Sequence, residues 1–210
     1  MNTNLSLRNT ILVFLAVLST TSLLAQTREN DISINARGVT LGSFILKVPS
    51  DWQDFPTIVT DALRDRYNLQ IEVLCRTNYD TLSLSKVEDI VAFHIKDYEG
   101  SFSIVYFKIT PGSKLLNLLR NQAKERAKFD NHRSDFKYSD PVPINDERFL
   151  GFYTISRGSL DRVEISGSLE HKKLKNTLIQ FTLRCPRSWD EYRASTTFSS
   201  IIQWITFKGN

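Results

Sequence analysis

The chain has 210 residues, a formal net charge of +4, 41% hydrophobic residues and 24% charged residues. This balance is typical of a globular protein of about one domain and argues against intrinsic disorder. Eight glycines and six prolines exclude a collagen-like or low-complexity chain, and the mild positive charge gives no reason to expect a nucleic-acid partner.

The N-terminal segment has the order of a secretory signal peptide. Arg8 supplies positive charge, residues 11–18 form an apolar run, and small residues lead to Ala25. The run is far shorter than the roughly 20 residues of a membrane-spanning helix. We therefore predict a signal peptide at 1–25, cleavage that leaves Gln26 first, and a periplasmic or secreted protein. A retained N-terminal anchor is the alternative.

After the signal peptide, the sequence predicts a polar leader at 26–40 and a single domain at 41–210. Residues 43–48 predict a strand that Pro49 closes. Residues 57–67 carry apolar side chains at helical spacing and predict a helix. Residues 69–75 alternate with a period of two, which predicts a half-buried strand.

The middle of the domain predicts a hairpin and a helix. Two apolar runs, at 89–95 and 102–109, are separated by a short turn. Thr110 and Pro111 then predict a helix start, with threonine as the N-cap and proline at the first position. The apolar stripe of this helix is Leu115, Leu116, Leu119, Ala123 and Ala127. Residues 130–145 predict a loop with one short strand.

The last third predicts strands at 149–156, 162–170 and 177–185, followed by a helix. Ser188 and Glu191 have capping-box spacing at its start. Its predicted apolar stripe is Ala194, Phe198, Ile201 and Ile205. Because strands joined by short turns pair antiparallel, the predicted class is α+β: a single antiparallel sheet of six to seven strands with three helices packed on it.

Catalytic motifs find little support. Ser83 and Lys86 have the S-x-x-K spacing of penicillin-binding enzymes, but the sequence contains neither S-D-N nor K-T-G, so a solvated turn is the better interpretation. His94, His132 and His171 have neither i,i+4 spacing nor an H-E-x-x-H motif, so a zinc site is not indicated. We therefore predict no catalytic residue, no metal and no cofactor.

Two segments carry a resemblance to a known family. The sequence Val-Pro-Ser-Asp-Trp at 48–52 ends a strand and precedes a helix, and Cys-Pro at 185–186 leads to a last helix with an apolar end at 198–207. In this arrangement residues 40–208 resemble the PsbP-like and DcrB-like proteins of bacterial envelopes and photosynthetic membranes. The resemblance implies a non-catalytic binding, assembly or chaperone-like module and no residue roles beyond packing.

Two function classes follow. The favoured one is a secreted or periplasmic, non-catalytic binding or assembly module of the cell envelope. The alternative is a small extracytoplasmic hydrolase with an unrecognised site. A strongly perturbed acid or histidine beside a deep pocket would favour the hydrolase. A shallow apolar groove or an exposed patch would favour the binding module.

The two cysteines suggest a disulfide. Cys75 and Cys185 each end the apolar face of a predicted strand, and both are predicted to lie outside the cytoplasm, where disulfides persist. The alternative is a pair of buried thiols, since a free cysteine packs like a small hydrophobe.

A basic helix face suggests a partner surface. On the helix after Pro111, Lys114, Lys124 and Lys128 recur at helical spacing, and Arg120 flanks them. Such a face can dock onto an acidic envelope protein or an anionic membrane surface, because each basic residue near anionic lipid contributes about 1 kcal/mol. The alternative is a solvated helix face.

Overall fold

The structure of the chain, a computed structural model, describes residues 35–78, 86–96, 98–130, 137–158, 162–174 and 176–208. The chain divides into two units, Met1–Arg37 and Gly38–Asn210, and the sites described below belong to the second. The predicted signal peptide and its cleavage site, Ser83 and His132 lie outside the described residues.

The described residues form eleven strands and three helices. The strands are β1 (Ala36–Leu41), β2 (Phe44–Pro49), β3 (Gln53–Asp54), β4 (Lys86–Ile95), β5 (Gly100–Lys108), β6 (Lys137–Tyr138), β7 (Val142–Asn145), β8 (Phe149–Arg157), β9 (Val163–His171), β10 (Thr177–Arg184) and β11 (Thr206–Phe207). The helices are α1 (Thr57–Thr77), α2 (Leu115–Asp130) and α3 (Glu191–Gln203). The predicted α+β class is confirmed.

The strands form two sheets. The large sheet has eight strands in the order β3-β4-β5-β10-β9-β8-β6, with β7 also paired to β8. All of its pairings are antiparallel. A small sheet has the order β1-β2-β11. The sequence predicts one sheet, because β1 lies mostly in the predicted polar leader and β11 has only two residues.

Each face of the large sheet carries its own core. One face, which we call the α3 face, carries residues such as Phe102, Ile104 and Phe181, and they pack with α3 and with β1 and β2. The opposite face, the helix-pair face, carries Val105 and Phe107, which pack with α1 and α2. Successive side chains of a strand point to opposite faces, so each strand contributes side chains to both cores.

Helix α1 is longer than the sequence predicted, and the strand predicted at 69–75 is wrong. The buried residues in this half of the helix are Ile71, Leu74 and Cys75. Their spacing of three and four is helical. Leu69 and Val73, which alternation would place with Ile71, are 62% and 52% exposed. Exposed apolar side chains therefore imitated the period of a strand.

The start of α2 also differs from the prediction. Gly112 adopts a left-handed φ of 76°, and Pro111 and Gly112 form a turn before the helix. The helix begins at Leu115, whose amide donates a hydrogen bond of 3.1 Å to the Ser113 hydroxyl. Thr110 is therefore not the N-cap, because the turn separates it from the first helical residue.

The start of α3 is capped by Asp190. Its carboxylate accepts a hydrogen bond of 2.7 Å from the backbone amide of Arg193. The predicted capping box at Ser188 is wrong, since the Ser188 hydroxyl accepts a hydrogen bond from Lys96 instead. Aspartate satisfies the same orphan amides as serine and adds favourable charge at the helix N-terminus.

Candidate functional site

A groove of about 940 Å³ lies on the helix-pair face of the large sheet. Its walls come from α1 and α2, and its floor comes from β5, β10, β9 and β8. The volume lies within the range of about 300–1,000 Å³ that small-molecule sites occupy. The two helices close over the apolar part of this face and leave its polar part open.

The floor contains a row of hydroxyl groups that crosses four strands. Thr182 of β10 lies opposite Ser103 of β5 and Ser166 of β9, and Ser166 lies opposite Thr154 of β8. All four line the groove. Neighbouring strands lie about 4.8 Å apart, so this hydroxyl row spans about 14 Å. The antiparallel register therefore turns four separate residues into one continuous hydrogen-bonding surface.

One side of the hydroxyl row is bordered by an ion pair. Arg184 lies opposite Glu164, and its Nε is 2.7 Å from the Glu164 carboxylate. Their side chains are 51% and 32% exposed. An ion pair in contact with solvent contributes at most about 1 kcal/mol to stability, so its main effect here is to balance the charge of the floor.

The other side of the hydroxyl row is bordered by an amide with an unused acceptor. Gln180 lies opposite Ser168, is 7% exposed and lines the groove. Its side-chain Oε1 is buried and has no hydrogen-bond partner among the described residues. A buried polar atom without a partner costs about 1–3 kcal/mol. A donor from a bound molecule would remove that cost.

The walls add further polar groups. Tyr67 of α1 reaches down to the floor, with its hydroxyl 3.4 Å from that of Ser103 and 3.5 Å from that of Thr182. The amide side chains that line the walls are Gln70, Asn78, Asn121 and Gln122. Exposed Leu69 and Val73 line the groove as well. The walls therefore combine amides with apolar surface.

An aromatic residue stands near each edge of the sheet. Phe55 follows the edge strand β3, Tyr138 belongs to the opposite edge strand β6, and both line the groove. The ring of Phe55 packs on that of His94 with centroids 4.0 Å apart, which holds it in place. The groove therefore crosses the sheet between two aromatic residues.

The two cysteines lie in different cores. Cys75 packs on the helix-pair face and Cys185 on the α3 face, and both are buried and form no disulfide. The sheet separates them, so the structure does not support the predicted disulfide and shows the alternative that the sequence left open. Burial, with a smaller contribution from Glu164, raises the pKa of the Cys185 thiol to about 12.

The four predicted partner-binding residues differ in their exposure and contacts. Lys114 and Lys124 are exposed, and Lys128 lies 2.9 Å from the carboxylate of Glu125. Arg120 is held against β8, where its Nη2 donates to the Gly151 carbonyl at 3.4 Å and its guanidinium lies 5.7 Å from the centroid of the Phe152 ring. None of these four residues lines the groove.

The described histidines and the perturbed acid lie outside the groove lining. His94 packs between Phe55 and Tyr98, and burial lowers its pKa. His171 accepts two backbone hydrogen bonds through Nδ1, and burial is the largest of the causes that lower its pKa. Burial raises the pKa of Glu170. In the described part of the chain, no group of three His, Cys, Asp or Glu side chains is placed to hold a metal ion.

None of the floor residues was predicted from the sequence. Their signal was present, because serine or threonine occupies two alternate positions in each of β5 (Ser101, Ser103), β8 (Thr154, Ser156) and β9 (Ser166, Ser168). A sheet face covered by two helices is normally apolar, so a polar stripe there marks surface that the helices leave open. Recognising the stripe required knowing which strands are neighbours.

The architecture is thus an α+β fold with a polar groove between two helices. No family model matches the chain, and none of the curated proteins matches it in sequence. Among solved structures, the chain is similar to cyanobacterial PsbP (CyanoP) from Synechocystis sp. PCC 6803, with 12% sequence identity and a TM-score of 0.49, over 85% of this chain and 96% of that chain. The resemblance to DcrB-like proteins stays a prediction.

None of the helices that the structure describes has the length and apolar content of a membrane span.

Proposed function

We propose that this chain is an extracytoplasmic, non-catalytic binding module of the cell envelope that holds its ligand in the groove between α1 and α2. The observation that carries the proposal is the polar floor left open between the helices. Ser103, Thr182 and Ser166 are partly exposed, and Gln180 beside them has a buried acceptor with no partner among the described residues. Such convergent polar groups in a concave site are what a binding site needs to orient a ligand.

Two ion pairs favour binding over hydrolysis. The carboxylates that line the groove belong to Glu164 and Glu125, and each has a basic partner, Arg184 and Lys128 respectively. A hydrolase of the two-carboxylate type needs one acid with a raised pKa that can donate a proton. Here each carboxylate is engaged by its basic partner in an ion pair, so neither is presented to a ligand as an unpaired acid.

The predicted location and partners belong to the same proposal. The signal-peptide pattern at 1–25 supports an extracytoplasmic protein. Lys114, Lys124 and Lys128 lie outside the groove lining, so docking onto an acidic envelope protein or an anionic membrane surface would leave the groove accessible. Docking through the lysines and ligand binding in the groove would differ in salt dependence, since the exposed charges of the docking surface are screened at physiological ionic strength.

Site-specific photocrosslinking in the native envelope tests the proposal. A photoreactive residue at Val73 stands on the groove wall, and Ile58 on the same helix, 78% exposed, lies outside the groove lining and is the matched control. We expect a crosslinked adduct at position 73 that is absent or much weaker at position 58. Equal capture at both positions, or none at Val73, would contradict a binding role for the groove.

A further inference from the structure

We infer that the ligand of the groove is a neutral oligosaccharide. The inference rests on the proposed binding function and names the chemical class of its ligand. It is carried by the hydroxyl row, by the free acceptor of Gln180 and by the aromatic residues near the two sheet edges.

The hydroxyl row matches the hydrogen-bonding properties of a sugar. Serine, threonine and tyrosine hydroxyls each donate one hydrogen bond and accept others, and side-chain amides do both as well. Sugar hydroxyls have the same dual character, so either partner can be the donor at each contact. Thr154 is buried with its hydroxyl 3.3 Å from that of Ser166, so the accessible part of the row runs from Ser103 to Ser166 and spans about 10 Å across three strands, which still gives an extended ligand several contacts in line.

Gln180 gives the floor a specific need for a donor. The residue lines the groove, and its Oε1 is buried and has no partner among the described residues. Ser168, which lies opposite Gln180, is 2% exposed, so this end of the floor is the most enclosed. Because this oxygen is buried, the amide must rotate toward the groove to meet a ligand, and a hydroxyl of a bound sugar can then supply the missing hydrogen bond without bringing charge into an enclosed site.

The charges of the lining favour a neutral ligand. The charged side chains of the lining are Arg66, Arg126, Arg184, Glu125 and Glu164. Among the described residues the lining thus has three cations and two acids, a small net charge that builds no strong field of either sign for a highly charged polymer. Phe55 and Tyr138 add apolar aromatic surface near the edges of the sheet, which suits the apolar faces of sugar rings.

An extended peptide fits this surface less well. Peptides that bind a sheet usually add a strand at its edge, where backbone amides and carbonyls are available. The groove instead lies across the face of the sheet and offers side chains from β5, β10, β9 and β8. The peptide is therefore the competing ligand class that the experiment must distinguish.

Nuclear magnetic resonance titration of the protein with defined probes tests the inference. The neutral sugars are cellotetraose and N-acetylchitotetraose, the acidic sugar is trigalacturonic acid, and the peptide is penta-alanine. We expect a neutral sugar to cause saturable shifts of floor amides such as those of Thr182 and Ser166, and the other two probes to cause weaker shifts or none.

Two variants and a control connect the binding to the floor. Thr182→Val removes one hydroxyl of the row at nearly constant volume, and Gln180→Leu removes the unpartnered amide. Each is expected to weaken sugar binding about tenfold, as the loss of a hydrogen bond does. Ser199→Ala, an exposed hydroxyl on α3, is expected to bind like the unmodified protein. Gln180→Leu should also melt no lower than the unmodified protein, whereas a structural role for the amide predicts a lower melting temperature.

Each outcome decides the inference. Saturable shifts with a neutral sugar that both floor variants weaken support it. No saturable shift with either neutral sugar, or tighter binding of penta-alanine or trigalacturonic acid, overturns it. If crosslinking at Val73 still succeeds in that case, the binding function stands and only the ligand class is wrong.

Discussion

Arg148 is expected to be among the most important surface-accessible residues for stability, because it caps the C-terminus of α3 from a distant part of the chain. Its Nη1 donates to the backbone carbonyls of Gln203 at 3.0 Å and Ile205 at 2.8 Å, and its Nη2 approaches the Ile202 carbonyl at 3.5 Å. The last carbonyls of a helix have no partner within the helix, and a cation there is favourable. Arg148→Ala removes all of these contacts.

The magnitude follows from the two short hydrogen bonds. A hydrogen bond to a charged group contributes about 1.5–3 kcal/mol. The Arg148 side chain is 37% exposed, so water can replace part of what is lost. We therefore expect Arg148→Ala to lower the free energy of unfolding by about 2–3 kcal/mol. For a fold of this size that corresponds to a fall of about 4–12 °C in the melting temperature.

Thermal unfolding followed by circular dichroism measures the effect. Arg148→Lys keeps the charge but cannot bond two carbonyls with a planar fork, so it should fall between the unmodified protein and the alanine variant. Arg187→Ala, an exposed arginine just before α3, is the matched control and should stay within about 2 °C of the unmodified protein. If Arg148→Ala melts as close to the unmodified protein as that control does, the capping role is refuted.

Three further predictions concern the thiols, a turn and the N-terminus. The mass of the unreduced protein should show no disulfide, and in the native state Cys185 should resist alkylation near pH 8 because burial raises its pKa to about 12. In the unfolded chain the thiol ionises at its ordinary pKa of 9.0, whereas in the fold it stays neutral. The contribution of the thiol to stability should therefore be lost as the pH rises above 9.0. A disulfide mass, or rapid labelling of Cys185 in the native protein, would contradict this account. Gly42→Ala should lower stability by about 2 kcal/mol or more, because φ is 54° and an added Cβ would overlap the Tyr106 ring, and denaturant unfolding that shows no loss would exclude the strain. N-terminal sequencing of the purified protein should begin at or near Gln26, and an intact Met1 on a membrane-bound chain would refute the predicted cleavage.

The sequence by itself determined most strands and the fold class. The runs that became β4, β5, β8, β9 and β10 have apolar, β-branched and aromatic residues bounded by turns, and these are local properties of the chain. The α3 stripe of Ala194, Phe198 and Ile201 was equally clear, because its helical spacing is complete within a few turns. Short-range patterns of this kind need no knowledge of neighbouring elements.

Only the tertiary structure decided where these elements meet. Ser103, Thr154, Ser166 and Thr182 become one row because four strands pair in a particular register, and no local pattern records that register. The same sheet separates the two cysteines, and the chain brings Arg148 to a helix end that lies 54 to 57 positions away in sequence. The strand predicted at residues 69–75 is wrong for the same reason: exposed Leu69 and Val73 give the period of a strand, and only packing shows which side chains are buried. Local sequence sets the period of apolar side chains along each helix or strand. Long-range pairing and burial decide which faces of these elements pack together. The groove exists only where the packed faces leave polar side chains uncovered.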